Sequence, residues 1–252
     1  MNRLFWILCI ILVFASASFA QQTVYFPQIA DGMEGGTETH WHTTIFIDNQ
    51  GTGTASGTIA LMNSDGTPML ASFVDENSNG AASNGHINFQ LGPGQNHKYT
   101  SLASNALQVG YGVMTSNAPV AANLIFSHYS HHGSEFLMAE AGLPSTTPMS
   151  RQGIFADTQN GFNPGIAVVN PSMSTQSITF ELVNNNGQVV MSATQMLGPN
   201  QHFAKFLSEI FPSLPSMAGR LQFFGSVPLA AVALRFDKHY NLFTTLFPFQ
   251  VP

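Results

Sequence analysis

The residues with the most chemistry in them are histidines. His40-Trp41-His42 puts two imidazoles on one side of an extended segment, because alternate side chains of a strand share a face. His128, His131 and His132 form a second group at the end of another predicted strand. Imidazoles grouped in this way bind zinc or copper, so these five make the candidate transition-metal set. The plain alternative is surface histidine on edges and loops, since no matched carboxylate or cysteine set accompanies them. Asp75-Glu76-Asn77-Ser78-Asn79-Gly80 supplies a second candidate, for calcium. Oxygen ligands at alternate positions, here Asp75, Asn77 and Asn79, followed by glycine, match the first half of a calcium loop. The twelfth position, which should be a bidentate glutamate, is His86, so the EF-hand reading fails. What remains is a weak, non-helical calcium loop, against a solvated Asn/Gly-rich turn that this composition favours.

Catalysis finds less support. The chain has no G-x-S-x-G nucleophile elbow, and Gly51, Gly53 and Gly57 have the wrong spacing for a dinucleotide fingerprint. Glu135 and Glu140 offer paired carboxylates, but on a terminal strand or connection they read as surface charges. Trp41, Tyr111 and Tyr129 are aromatics that can stack on sugar rings, or fill a core.

The elements that must position these residues come in two copies. Residues 42–69 match residues 163–190 at a shift of 121, with Ile45 on Ile166, Asn49 on Asn170, Leu61 on Leu182 and Gly66 on Gly187. Leu91-Gly92-Pro93-Gly94-Gln95 then matches Leu197-Gly198-Pro199-Asn200-Gln201 at a shift of 106. Pro119 to Ala122 matches Pro228 to Ala231 at 109. The difference makes Ala71 to Gly85 an insertion of 15 residues in the first copy. His42 falls on Asn163, and His128 on Lys238 or its neighbour Asp237, so the repeated fold does not require histidine there.

Thr58 to Met62 and Ser177 to Leu182 alternate polar and apolar residues, the period of half-buried strands. Asp65-Gly66 and Asn186-Gly187 follow as turn dipeptides. Val120 to Phe126 and Leu229 to Phe236 are continuous apolar runs suited to central strands. Phe203, Phe206, Leu207 and Ile210 recur at helical spacing up to Pro212, which predicts one helix. Hairpin signals without βαβ alternation predict an all-β protein of two tandem antiparallel β-sandwich (Ig-like) domains. The first should span 22–144 and the second 145–252, with a Pro/Ser/Thr-rich linker between Gly142 and Arg151.

Several short motifs support this in order: Tyr25-Phe26-Pro27-Gln28-Ile29-Ala30-Asp31-Gly32 followed by Trp41, then Asn163 to Pro171, Phe206 to Pro212, and Phe243-Thr244-Thr245-Leu246. Together they resemble a group of exported bacterial proteins with tandem β-sandwich repeats. The resemblance covers nearly all of the chain after residue 20. It implies the fold and an export route, and it carries over no catalytic residues. The sequence departs from that pattern at Met33-Glu34, at Glu38-Thr39-His40 and in the histidines after Phe126.

The N-terminus agrees with export. Arg3, the apolar stretch Leu4 to Phe14 and the small residues Ser18 and Ala20 predict a signal peptide over 1–20, cleaved after Ala20. The apolar stretch is too short to span a bilayer, which takes ~20 apolar residues. Cys9 is the only cysteine, so the mature chain can form no disulfide and its core must hold it. Charged residues make up 8%, against about 25% in ordinary globular proteins. After Ala20 there are 13 acidic and 6 basic residues, net −7, with no basic cluster, which disfavours nucleic acid. These features predict a secreted or cell-surface (or periplasmic), non-enzymatic protein of structural or adhesion type, meeting an extracellular protein or polysaccharide. A carbohydrate-binding accessory module and a metal-binding protein or metal-dependent hydrolase using the first-copy histidines are the rival expectations. No cofactor is required, with calcium or zinc the only candidates.

Overall fold

The computed structural model describes residues 21–77, 80–82, 85–103, 106–130, 135–240 and 242–252. The predicted signal segment, Asn79, His131 and His132 lie outside the described residues. The strands of the first half are β1 (Gln22–Met33), β2 (Thr39–Asp48), β3 (Ala55–Asn63), β4 (Phe73–Asp75), β5 (Gly80–Ala82), β6 (His86–Leu91), β7 (Asn96–Ser101), β8 (Gln108–Ser116), β9 (Ala121–Ser130) and β10 (Phe136–Pro144). Those of the second are β11 (Met149–Asp157), β12 (Asn163–Val169), β13 (Gln176–Asn184), β14 (Val189–Leu197), β15 (His202–Phe206), β16 (Ala218–Phe236), β17 (Phe243–Leu246) and β18 (Phe249–Gln250), with one helical turn α1 (Leu207–Ile210). The protein is all-β, with antiparallel sheets packed as a sandwich. Among the described residues no helix is long and apolar enough to cross a membrane.

One sheet runs β5-β4-β7-β2-β1-β8-β3-β6, with β9 on β2 and β10 on β9. The other runs β14-β13-β16-β11-β18, with β12 and β17 on β16 and β15 on β12. Each folds over because strands change partners partway. β1 pairs with β8, breaks register between Phe26 and Ile29, and ends on β2. The break falls at Pro27, which has no N–H to give a ladder and so suits a bulge. β16 pairs with β13 as far as Phe224 and with β12 from Ala230, and Pro228 lies in the crossing.

The same pairing scheme occurs twice. Ile45 lies opposite Tyr99 and Leu124, and Ile166 opposite Lys205 and Ala233. These partners are offset by the same 106 and 109 positions found in the sequence match. The 15-residue insertion is less a loop than a hairpin, β4–β5, added to the edge of β7. Two sequence expectations need correction. Phe203 and Phe206 lie on β15, paired to β12, and the helix is only the turn after them. The supposed linker is mostly strand. Only residues 145–148 separate β10 from β11, and there Thr146 exchanges both backbone hydrogen bonds with Tyr25 at 2.8 Å.

One apolar cluster fills the first half around Phe26, Ile45, Ile59 and Phe73 and extends into Ala167, Val232, Leu234 and Phe236 of the second half. A separate cluster around Ile166, Phe180, Leu207 and Phe223 fills the second. β8 presses so closely on β3 that a Cβ at Gly110 would overlap the Met62 carbonyl and crowd the Met69 methyl. Gly110→Ala should therefore weaken folding by about 1–3 kcal/mol in urea denaturation, the usual cost of overpacking.

Candidate metal centre

β2 alternates. Thr43, Ile45 and Ile47 turn into the core, and His40 and His42 take the opposite, outer face. Directly opposed residues of an antiparallel pair share a face. Tyr129 is opposite His40 and Ser127 opposite His42, so both belong to that outer face. The His40 ring lies parallel to Tyr129 at 5.3 Å, and His42 meets it edge-on at 5.0 Å. Glu135 stands just before β10, whose first residue pairs with Ser130 at the end of β9. Its Oε1 is 3.0 Å from His40 Nε2 and 3.8 Å from His42 Nε2.

These three residues form the one set among the described residues whose histidine and carboxylate ligand atoms all lie within 4.8 Å of one another. A tetrahedral zinc with bonds of about 2.1 Å holds its ligands roughly 3.4 Å apart, between the two distances observed. The His42 tautomer is fixed in the useful sense. Its Nδ1 is 2.7 Å from the Ser101 carbonyl, which can only accept, so Nδ1 carries a proton and Nε2, on the Glu135 side, is the nitrogen that a metal would take. His40 is buried, His42 half-buried and Glu135 exposed, so the cluster opens to solvent on the carboxylate side. Without a metal, the His40–Glu135 contact is a hydrogen bond from imidazole to carboxylate.

Of the described histidines in the expected group, His128 does not join His40 and His42. His128 lies opposite Trp41 and therefore on the core side of the sheet, away from His40 and His42. It stacks on the indole at 4.1 Å, and burial lowers its pKa. Glu135, which the sequence read as a surface charge on a terminal strand or connection, joins instead. A bulge between Leu137 and Ala139 shifts the phase of β10, so Leu137 and Glu140 both face the outer-side residues Tyr129 and Ser127. The only sequence signal for Glu135 was its nearness to the second histidine group.

The calcium candidates stand differently. Asp75 Oδ1 accepts from the Asn77 N–H at 3.0 Å, and its Oδ2 lies 3.2 Å from His97 Nδ1. Asn77 Oδ1 accepts from the Lys98 N–H at 2.9 Å. Both described side chains thus serve the β4–β7 edge. The three aromatics make no platform. Tyr111 is buried with its hydroxyl donating to the Asn200 carbonyl at 2.6 Å, and Trp41 and Tyr129 lie on opposite faces of one sheet. Comparison with protein-family models, with curated proteins and with solved structures finds no match to this chain.

Proposed function

We propose that this chain is an exported, non-enzymatic β-sandwich protein of the structural or adhesion type, and that its particular capacity is to take up a transition-metal ion on His40, His42 and Glu135. The metal reading rests on the convergence of two imidazoles and a carboxylate, with the tautomer of one imidazole set by a backbone carbonyl. Two histidines and a glutamate are an established zinc ligand set. Copy two carries no equivalent of His42, so the fold itself does not demand the arrangement. The export reading rests on Arg3, the apolar stretch from Leu4 and the small residues Ser18 and Ala20, together with the resemblance to exported tandem-sandwich proteins.

Zinc titration by calorimetry tests the metal reading. The wild type should bind one ion per chain. His40→Ala/His42→Ala should weaken binding by about 100-fold or more, since even outer-shell changes cost 10–100-fold. Glu135→Gln should also weaken it. Binding should fall on acidification, because protons compete for the imidazole nitrogens. Equal, negligible heats from all three proteins would reduce the cluster to an ordinary hydrogen bond.

A further inference from the structure

On the other side of the same sheet, the two halves border a partly open cavity of about 630 Å³. That volume falls within the range of small-molecule sites, roughly 300–1,000 Å³. Trp41, Phe126 and His128 line it from the first half, and Ala167, Leu234 and Phe236 from the second. Most of this surface is apolar, and the exceptions are informative. Gln28 and His128 both border the cavity and are only 8% and 7% exposed. Neither the side-chain oxygen of Gln28 nor either ring nitrogen of His128 has a hydrogen-bond partner among the described residues. Leaving such a group unpaired costs about 1–3 kcal/mol, and these atoms are closed to water in this conformation, so each gains a partner in the cavity by a small side-chain rotation toward it.

Charge narrows the ligand. Lys205 borders the cavity, but its ammonium donates to Gln195 at 2.9 Å. Two carboxylates, Glu34 and Glu209, also border it. An anion would meet two carboxylates, and the one ammonium present is already held by Gln195. A neutral imidazole offers one donor and one acceptor, and the glutamine oxygen adds an acceptor.

We propose that this cavity binds an uncharged, mainly apolar small molecule carrying a hydroxyl or amide group, which meets Gln28 and His128. The site is independent of the metal centre, which faces the other way. Ordered water on the two polar groups is the competing occupant.

Nile red, a neutral apolar dye, is the probe, with the full mature chain. Its emission should rise saturably to one dye per chain. Ala204 borders the cavity and is exposed, so Ala204→Trp can fill the opening without disturbing the core. That variant should keep its melting temperature and bind the dye at least about tenfold more weakly. Naphthol should displace the dye about 3–10-fold better than naphthalene, the value of one neutral hydrogen bond. Gln28→Leu/His128→Phe should remove that preference while leaving dye binding. No saturable uptake by the wild type, or equal uptake by folded Ala204→Trp, would overturn the site. Equal displacement by naphthol and naphthalene in the wild type would overturn the role given to Gln28 and His128.

Discussion

Asn49→Ala should cost the protein about 3–5 kcal/mol of folding stability, and Asn170→Ala a similar amount. Both asparagines are fully buried. Asn49 Nδ2 lies 2.8, 3.0 and 3.1 Å from the carbonyls of Gly53, Leu91 and Gly92, and its Oδ1 accepts from the Gly51 N–H at 3.0 Å. Asn170 repeats this with the carbonyls of Ser174, Leu197 and Gly198 and the N–H of Ser172. One side chain thus ties the end of a strand, the entry to the next and the Leu-Gly-Pro-x-Gln turn. Gln95 and Gln201 complete that turn by accepting from the Gly92 and Gly198 N–H groups. Alanine would leave several backbone groups unpaired, at about 1–3 kcal/mol for each one that stays buried. Urea denaturation of the two variants is the measurement. A loss under about 1 kcal/mol in both would mean that backbone pairing alone holds the turns.

Lowering the pH from 7 to 4 should remove about 3 kcal/mol through His202 alone. This ring is buried where the halves meet, with Nδ1 3.0 Å from Ser64 Oγ, and its backbone N–H donates to the Ser64 carbonyl. Burial drives its pKa down to about 4, against a smaller opposing pull from the Pro27 backbone. Unfolded, the imidazole returns to 6.5. Between these values the unfolded chain binds a proton that the folded chain refuses. Stability is therefore full above about 6.5, falls as the pH drops, and has lost this contribution below about 4. His128, its pKa also lowered by burial, acts in the same direction. A His202→Gln variant cannot titrate, so its stability should change much less between pH 7 and 4.5. Parallel curves for the two proteins would remove His202 as the cause.

The strands, their turns and their repetition were legible from sequence because they follow from local rules. A period of two marks a half-buried strand, and Asp65-Gly66 and Asn186-Gly187 supply the positive φ a turn requires, 86° and 78° at the two glycines. The run from Leu229 to Leu234 is buried throughout, as an unbroken apolar stretch predicts. The helical spacing from Phe203 misled because spacing is only a local signal, and pairing to β12 outweighed it over the first half of the motif. The site depended on what no local rule contains. Whether His128 joins His40 and His42 is set by register, and one residue of slip would have reversed it. Glu135 enters through a bulged strand paired almost 100 residues from β2, and the cavity exists only because one half packs on the other. Residue type and spacing determined that histidine clusters would be present. Register, bulge and the contact between halves decided which of them meet, because strand pairing is non-local and side-chain direction alternates with every residue.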